Sequence, residues 1–315
     1  MPGGLTALLD DVAVIARAAA ASVDDVAVAA GRAGSKTAGV VIDDAAVTPS
    51  YVTGLTPDRE LPLIWNITKG SFKNKLIFLL PGALLLSEFL PWAIIPILML
   101  GGFYLSYEGA EKVLEKLGGK KHGKTLEDKI EDPVKFEKER TAGAIRTDLI
   151  LSAEIMAITL NEVAADTLLT RAIVLALVGI GVTVAVYGAV ALIVKMDDIG
   201  LHLAEQPGNF ASKFGTFLVN AMPKLLTALS FIGTIAMLWV GGGILLHGLE
   251  ELGWHAPADI GHGMQHAVEY ATGALSGILG WATYAAYSAV AALGVGAVIA
   301  VILHKVFKVG SDGAH

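Results

Sequence analysis

The chain has 315 residues and no cysteine, which excludes disulfides, thiolate metal centres and cysteine nucleophiles. Hydrophobic residues make up 54% and charged residues 17%, well under the roughly 25% charge of a soluble domain. With a mean hydropathy of +0.62 this is the composition of a membrane bundle, and a net charge of −7 without basic-groove or zinc-finger spacing excludes a nucleic-acid binder.

Residues 1–70 read as a cytoplasmic amphipathic helical region. Val12, Ile15, Ala19, Val23 and Val26 recur at three- and four-residue steps and form one apolar face. Asp10 and Asp11 sit where a signal peptide would be apolar, so insertion is expected to use internal spans. Acidic pairs recur at Asp10-Asp11, Asp24-Asp25 and Asp43-Asp44. They read as the acidic side of the helix, ahead of a metal site. Thr48 to Pro62 holds Pro49, Gly54, Pro57 and Pro62 and reads as a loop.

A first membrane hairpin is expected over 71–108. Leu76–Leu90 and Pro91–Tyr107 are apolar, but short and interrupted by Pro81, Pro91 and Pro96. They form either two short spans or a re-entrant pair. Glu88 falls at the turn between them. Residues 109–142 then read as a charged cytoplasmic loop.

A four-span bundle is expected over 143–306. Its first member, Gly143–Val163, carries Arg146, Asp148, Glu154, Asn161 and Glu162. Residues 172–194 contain no charge, and a helix of that length rises roughly 35 Å, enough to cross a bilayer core. Further spans are expected at Leu225–His247 and Gly273–His304, with a histidine-containing outer loop at 248–272 and a cytoplasmic tail at 307–315. Lysine and arginine cluster before Leu76, between Glu108 and Arg146, in Lys195–Lys224 and after His304, and are absent from 248–272. Six segments put every basic cluster on one side, which predicts a multi-pass membrane protein with both termini cytoplasmic.

Thr147, Glu154 and Asn161 are seven residues apart, so on a helix they drift only about 20° per step and form one polar stripe. Asp148 and Glu162 flank it. A carboxylate at the membrane centre costs about 2.5–3.5 kcal/mol, so Glu154 is expected to face the bundle or a wet cavity. Two readings stand: an ion- or solute-binding site, or a polar clamp between helices. Arg146 and Asp148 read as interfacial anchors.

His262 and His266 are four apart, and Glu269 follows three later. One helix face could present all three to a zinc or similar divalent ion, although no cofactor is required and the general-base Glu of a zinc protease is lacking. Lys195 and Asp198 read as a headgroup anchor and cap. Gly241–Gly243 reads as a helix break or a close approach. Small residues at Gly273/Gly277, Ser276/Gly280 and Ala292/Gly296/Ala300 favour tight contact within the chain or self-association through the Gly273–Ala300 face.

Several segments together resemble the YedI-type family of bacterial inner-membrane proteins, which has no assigned activity. They are Gly4–Asp11, Asp58–Pro62, Pro91-Trp92, Leu98–Glu108, Gly143–Asp148, Lys195–Asp198 and Trp239–Gly243. The resemblance implies an inner-membrane location and transfers no site residue.

The expected fold is all-α, a polytopic helical membrane protein whose partner is the lipid bilayer. The function expected is a transporter- or channel-like protein for a small ion or solute, using buried carboxylates. A non-transporting scaffold is the alternative. A metal-dependent membrane enzyme comes third, since no serine, cysteine or paired-carboxylate arrangement of a hydrolase is present.

Overall fold

The computed structural model describes residues 3–52, 57–116, 133–206 and 209–306, and among these it is all-helical, with no strand. The long helix α1 (Gly3–Val47) is followed by the single turn α2 (Pro49–Val52). Then α3 (Pro57–Lys73), a π-helical segment (Asn74–Leu79) and α4 (Leu80–Phe89) run on without a break. The chain continues through α5 (Ile94–Lys116), α6 (Pro133–Glu162), α7 (Leu168–Val194) and the short α8 (Met196–Ala204). It ends with α9 (Asn209–Glu251), α10 (Ala256–Thr272) and α11 (Ser276–Val306).

Local chemistry sets these boundaries. Leu90 leaves the helical region, as the residue before Pro91 is biased to do, and this parts α4 from α5. The Thr167 hydroxyl accepts from the Thr170 amide at 3.2 Å and caps α7. Gly273 has a positive φ of 55°, which ends α10.

The helices form two groups. In one, α5, α9 and α11 pack on each other, with α10 on α11 and α8 on α9. In the other, α1 and α3 pack on α6 and α7. Contacts of α1 with α9 and of α5 with α6 join them. Gly242 and Gly296 explain the tightness of the first group. A Cβ on Gly242 would collide with the Ser288 carbonyl, and one on Gly296 with the Ser106 carbonyl.

Among the described residues, four helices are long and apolar enough to cross a membrane: Pro91–Glu115, Leu168–Val194, Phe210–Glu251 and Ser276–Leu303. Their outer faces carry exposed Leu100, Leu177, Val184, Leu192, Val290 and Val298. An apolar belt of this kind suits lipid contact. Of the expected first hairpin, only the Pro91 half is among the four. The 10-residue α4 rises roughly 15 Å, half of a bilayer core.

The structure refines four expectations from the sequence. Residues 1–70 are not set apart from the membrane bundle. Ala29 and Ala33 are buried with Ile155, Val163, Val174 and Val178, while Val47 and Tyr51 are buried with Ala144, Tyr187, Val190 and Val194. The second half of α1 therefore lies along α6 and α7. Small side chains allow that approach without any marked hydropathy. The loop expected over Thr48–Pro62 is largely helical, because Pro57 opens α3 where its missing N–H has no partner to lose. Residues 53–56 lie outside the described residues. At Gly241–Gly243 the close approach is what the structure shows: α9 runs through unbroken, Gly241 and Gly242 abut α5 and α11, and Gly243 faces open space. The charged loop shrinks from both sides, since α5 continues to Lys116 and α6 starts at Pro133. Residues 117–132 and the 307–315 tail lie outside the described residues.

Candidate functional site

The 30-residue helix α6 carries two polar stripes, about 140° apart around its axis. The stripe with Thr147, Glu154 and Asn161 faces α5 and α9. The stripe with Asp148, Ser152 and Thr159 faces α1, α3 and α7.

On the first stripe, Glu154 and Asn161 line a cavity of about 650 Å³. Its walls are Ile94 and Leu98 of α5, Ile158 of α6, and Ile244, His247 and Glu251 of α9. Arg171 of α7 also lines it. The Arg171 guanidinium is already committed: it donates to Glu88 at 2.8 Å and to the Ala164 and Asp166 carbonyls at 2.6 and 3.0 Å. It thereby ties the end of α4 to the turn between α6 and α7. Glu162, at the same end of the bundle, pairs with Lys36 of α1.

Thr147, the other end of this stripe, belongs to a separate cluster. Its hydroxyl lies 2.8 Å from the Tyr51 hydroxyl and 3.3 Å from Glu108 Oε2. Tyr51 donates to Glu108 Oε1 at 2.6 Å, and Lys112 donates to the same oxygen at 2.9 Å. Burial, and then the adjacent Glu108 carboxylate, push the Tyr51 hydroxyl well above its ordinary pKa, so it remains a donor.

The second stripe carries one half of a buried ion pair. Asp148 is 2% exposed and Lys75 is 0% exposed. Lys75 Nζ donates to Asp148 Oδ1 at 2.9 Å. Ser71 and Tyr187 donate to that same oxygen at 3.0 and 2.9 Å. Asp148 Oδ2, also buried, makes no hydrogen bond. The interfacial anchor expected of Asp148 is thus corrected to a core ion pair. Arg146 keeps an exposed position, with its Nη1 at 3.4 Å from the Tyr104 hydroxyl.

In the sequence Lys75 stands directly before the apolar run Leu76–Leu90. Its sequence signal was Ser71 four residues earlier, which places a hydroxyl and an ammonium on one helix face. The π-helical segment that contains Lys75 is a wide turn, a feature that recurs at functional sites.

The histidines are arranged differently. His262 stacks on Tyr284 of α11, with ring centroids 4.8 Å apart. His266 Nδ1 lies 3.0 Å from Glu269 Oε2, and Gln265 donates to Glu269 Oε1 at 2.8 Å. Those bonds, Gln265's first, hold the Glu269 carboxyl below its ordinary pKa. Among the described residues no group of three His, Cys, Asp or Glu side chains is placed to hold a metal ion. Tyr287, donating to the Pro257 carbonyl at 2.9 Å, fastens α10 to α11. Ala292 and Ala300 are buried within the chain and Gly296 abuts α5, whereas Gly277 faces open space. Lys195 pairs with Asp198, three residues on.

Residues 3–302 match the model of a family described as "Protein of unknown function (DUF808)". No curated protein and no solved structure matches the chain.

Proposed function

We propose, from the premise that the chain belongs to the DUF808 family of proteins of unknown function, that it is an inner-membrane protein that moves a small ion or solute through the α5–α6–α9 cavity. One observation carries this reading: Glu154 and Asn161, the two polar groups at the middle and end of α6, both line the 650 Å³ cavity. They border a space of the size that small ligands fill, with an apolar wall and a few polar groups. Glu154 and Glu251 favour a cationic or hydrogen-bond-donating solute, because Arg171 is engaged with Glu88.

The resemblance to YedI-type proteins supports the inner-membrane address. The distribution of basic residues supports a cytoplasmic position for 117–132 and for Lys195–Lys224. In that orientation the cavity lies toward the outer end of the bundle, near Glu88, Glu162 and Glu251.

The test is flux. Purified protein in proteoliposomes is loaded against a panel of small cations and amines, with Glu154→Gln beside the wild type. The expected result is uptake of at least one solute that Glu154→Gln reduces roughly tenfold or more while the protein still inserts. Equal uptake by both proteins for every transported solute would sink the role of Glu154.

A further inference from the structure

The Asp148 stripe plays no part in the cavity, yet it concentrates buried polar atoms that the fold leaves unsatisfied. Several other buried hydroxyls bond back to their own helix. Thr48 does so to the Asp44 carbonyl at 2.8 Å, Thr68 to Ile64 at 2.7 Å, Ser106 to Gly102 at 2.7 Å and Thr183 to Gly179 at 2.7 Å. Ser152 and Thr159, both 0% exposed, do not; their hydroxyls make no hydrogen bond. Asp148 Oδ2 is in the same condition. Ser288 is another such hydroxyl, but it lies on α11 against Gly242. A buried oxygen left without a partner costs about 1–3 kcal/mol, and three on one helix face are not explained by packing.

All three are hard oxygen donors. Successive members lie one and two turns apart, so the row extends about 16 Å along α6, from the ion pair toward the Glu162 end. Every donor to Asp148 approaches Oδ1, which leaves Oδ2 turned away from Lys75, Ser71 and Tyr187. Asp44 of α1, also buried, bears on Tyr187 from its own helix.

We propose that Asp148 is the binding carboxylate for a small monovalent cation, reached along Ser152 and Thr159, and that Lys75 is the counter-charge this cation displaces. The cation takes the carboxylate of Asp148 as its anionic ligand. The Lys75 ammonium is then left buried without its carboxylate. Its N–H bond breaks, the electron pair stays on Nζ, and the proton leaves to solvent. One cation enters, one proton departs, and the charge of the site is unchanged. The π-helical turn at Lys75 supplies the local slack for the side chain to withdraw. This deepens the transport reading above, for which the exchange would be the coupling step, but binding is measured apart from flux.

The full-length protein in detergent, weakly buffered near about pH 8, is mixed with lithium, sodium or potassium chloride, with choline chloride as the reference, and proton release is followed with a pH dye. At least one alkali cation is expected to release about one proton per chain. Asp148→Asn is expected to abolish the release. Lys75→Met is expected to keep a cation-specific rise in thermal stability but to release no proton. No release above choline by any of the three cations, or undiminished release by Asp148→Asn, overturns the proposal. Should Asp148→Asn fail to fold, Ser152→Ala leaves the ion pair in place. It is expected to raise the cation concentration needed by roughly tenfold; an unchanged concentration dependence overturns the proposal. Flux without cation-linked proton release removes this site and leaves the transport reading. Proton release without flux removes the reading and leaves the site.

Discussion

Lys75 Nζ and Asp148 Oδ1 are 2.9 Å apart in a place where neither residue is more than 2% exposed. The pair joins the α3–α4 rod to α6, and Ser71 and Tyr187 complete it. Two charges withdrawn from water cost several kcal/mol each, repaid only by such convergent geometry.

Removing one partner leaves the other charge buried and uncompensated. Lys75→Ala and Asp148→Ala should each lower stability by about 3–5 kcal/mol. The double variant Lys75→Met/Asp148→Leu should recover most of that loss, because apolar side chains of similar volume need no partner. Thermal unfolding in detergent reads all three. A double variant as unstable as the sum of the single ones would contradict the pairing.

Gly296 of α11 has the Ser106 carbonyl where its Cβ would go. Gly296→Ala should force α11 from α5 and cost about 1–3 kcal/mol, as overpacking does. Gly277→Ala, facing open space, should cost nothing measurable or add slightly to helix stability. Comparing the two melting temperatures checks the contrast within one helix.

Because Ala29 and Ala33 lie with Val163 and Val174 while Val47 lies with Val190 and Val194, α1 begins at the end of the bundle opposite Lys195. This conflicts with a cytoplasmic N-terminus if Lys195 faces the cytoplasm. The chain has no cysteine, so single exposed substitutions report cleanly. Val23→Cys and Ala256→Cys should react with an impermeant maleimide in whole cells, and Lys213→Cys only after lysis. Protection of Val23→Cys together with Lys213→Cys would restore the topology read from the basic residues.

On α10 the Glu269 carboxyl is held below its ordinary value of 4.5 by Gln265 and then His266. A depressed acid contributes stability that is complete above its unfolded pKa and lost as pH falls through its folded one. Acidification below about pH 4.5 should therefore loosen α10 in the wild type. Glu269→Gln should flatten that part of the profile. Tryptophan fluorescence of Trp254 and Trp281 against pH would show it.

How far these features were legible depends on what each residue displays in one dimension. The charge-free α7 was plain, since hydropathy alone reports it. The Glu154–Asn161 stripe was visible too, because a seven-residue spacing survives as a face on any helix. Lys75 was not. A lysine beside an apolar run looks like a boundary until a carboxylate seventy-three residues later closes on it. The burial of α1 was equally hidden. Ala29, Ala33 and Thr37 pack through their smallness, which carries almost no hydropathy signal. His262 shows the opposite failure: its spacing to His266 was correct for a helix, but Tyr284 of α11 claimed its ring.

The π-helical segment Asn74–Leu79 also has a bearing on how this chain tolerates length changes. A π turn is an α-helix holding one surplus residue, and one residue corresponds to about 100° of rotation. The surplus sets the phase between α3, which aims Ser71 at Asp148, and α4, which turns its side chains toward α6 and α7. Deleting any single residue between Asn74 and Leu79 would iron the segment into regular helix. Everything from Leu80 to Phe89 would then swing by about a quarter-turn, carrying the half-buried face of α4 away from its neighbours. A one-residue deletion here is consequently a more severe lesion than most substitutions at the same positions, and a natural variant lacking the surplus residue would need a compensating change across the whole of α4.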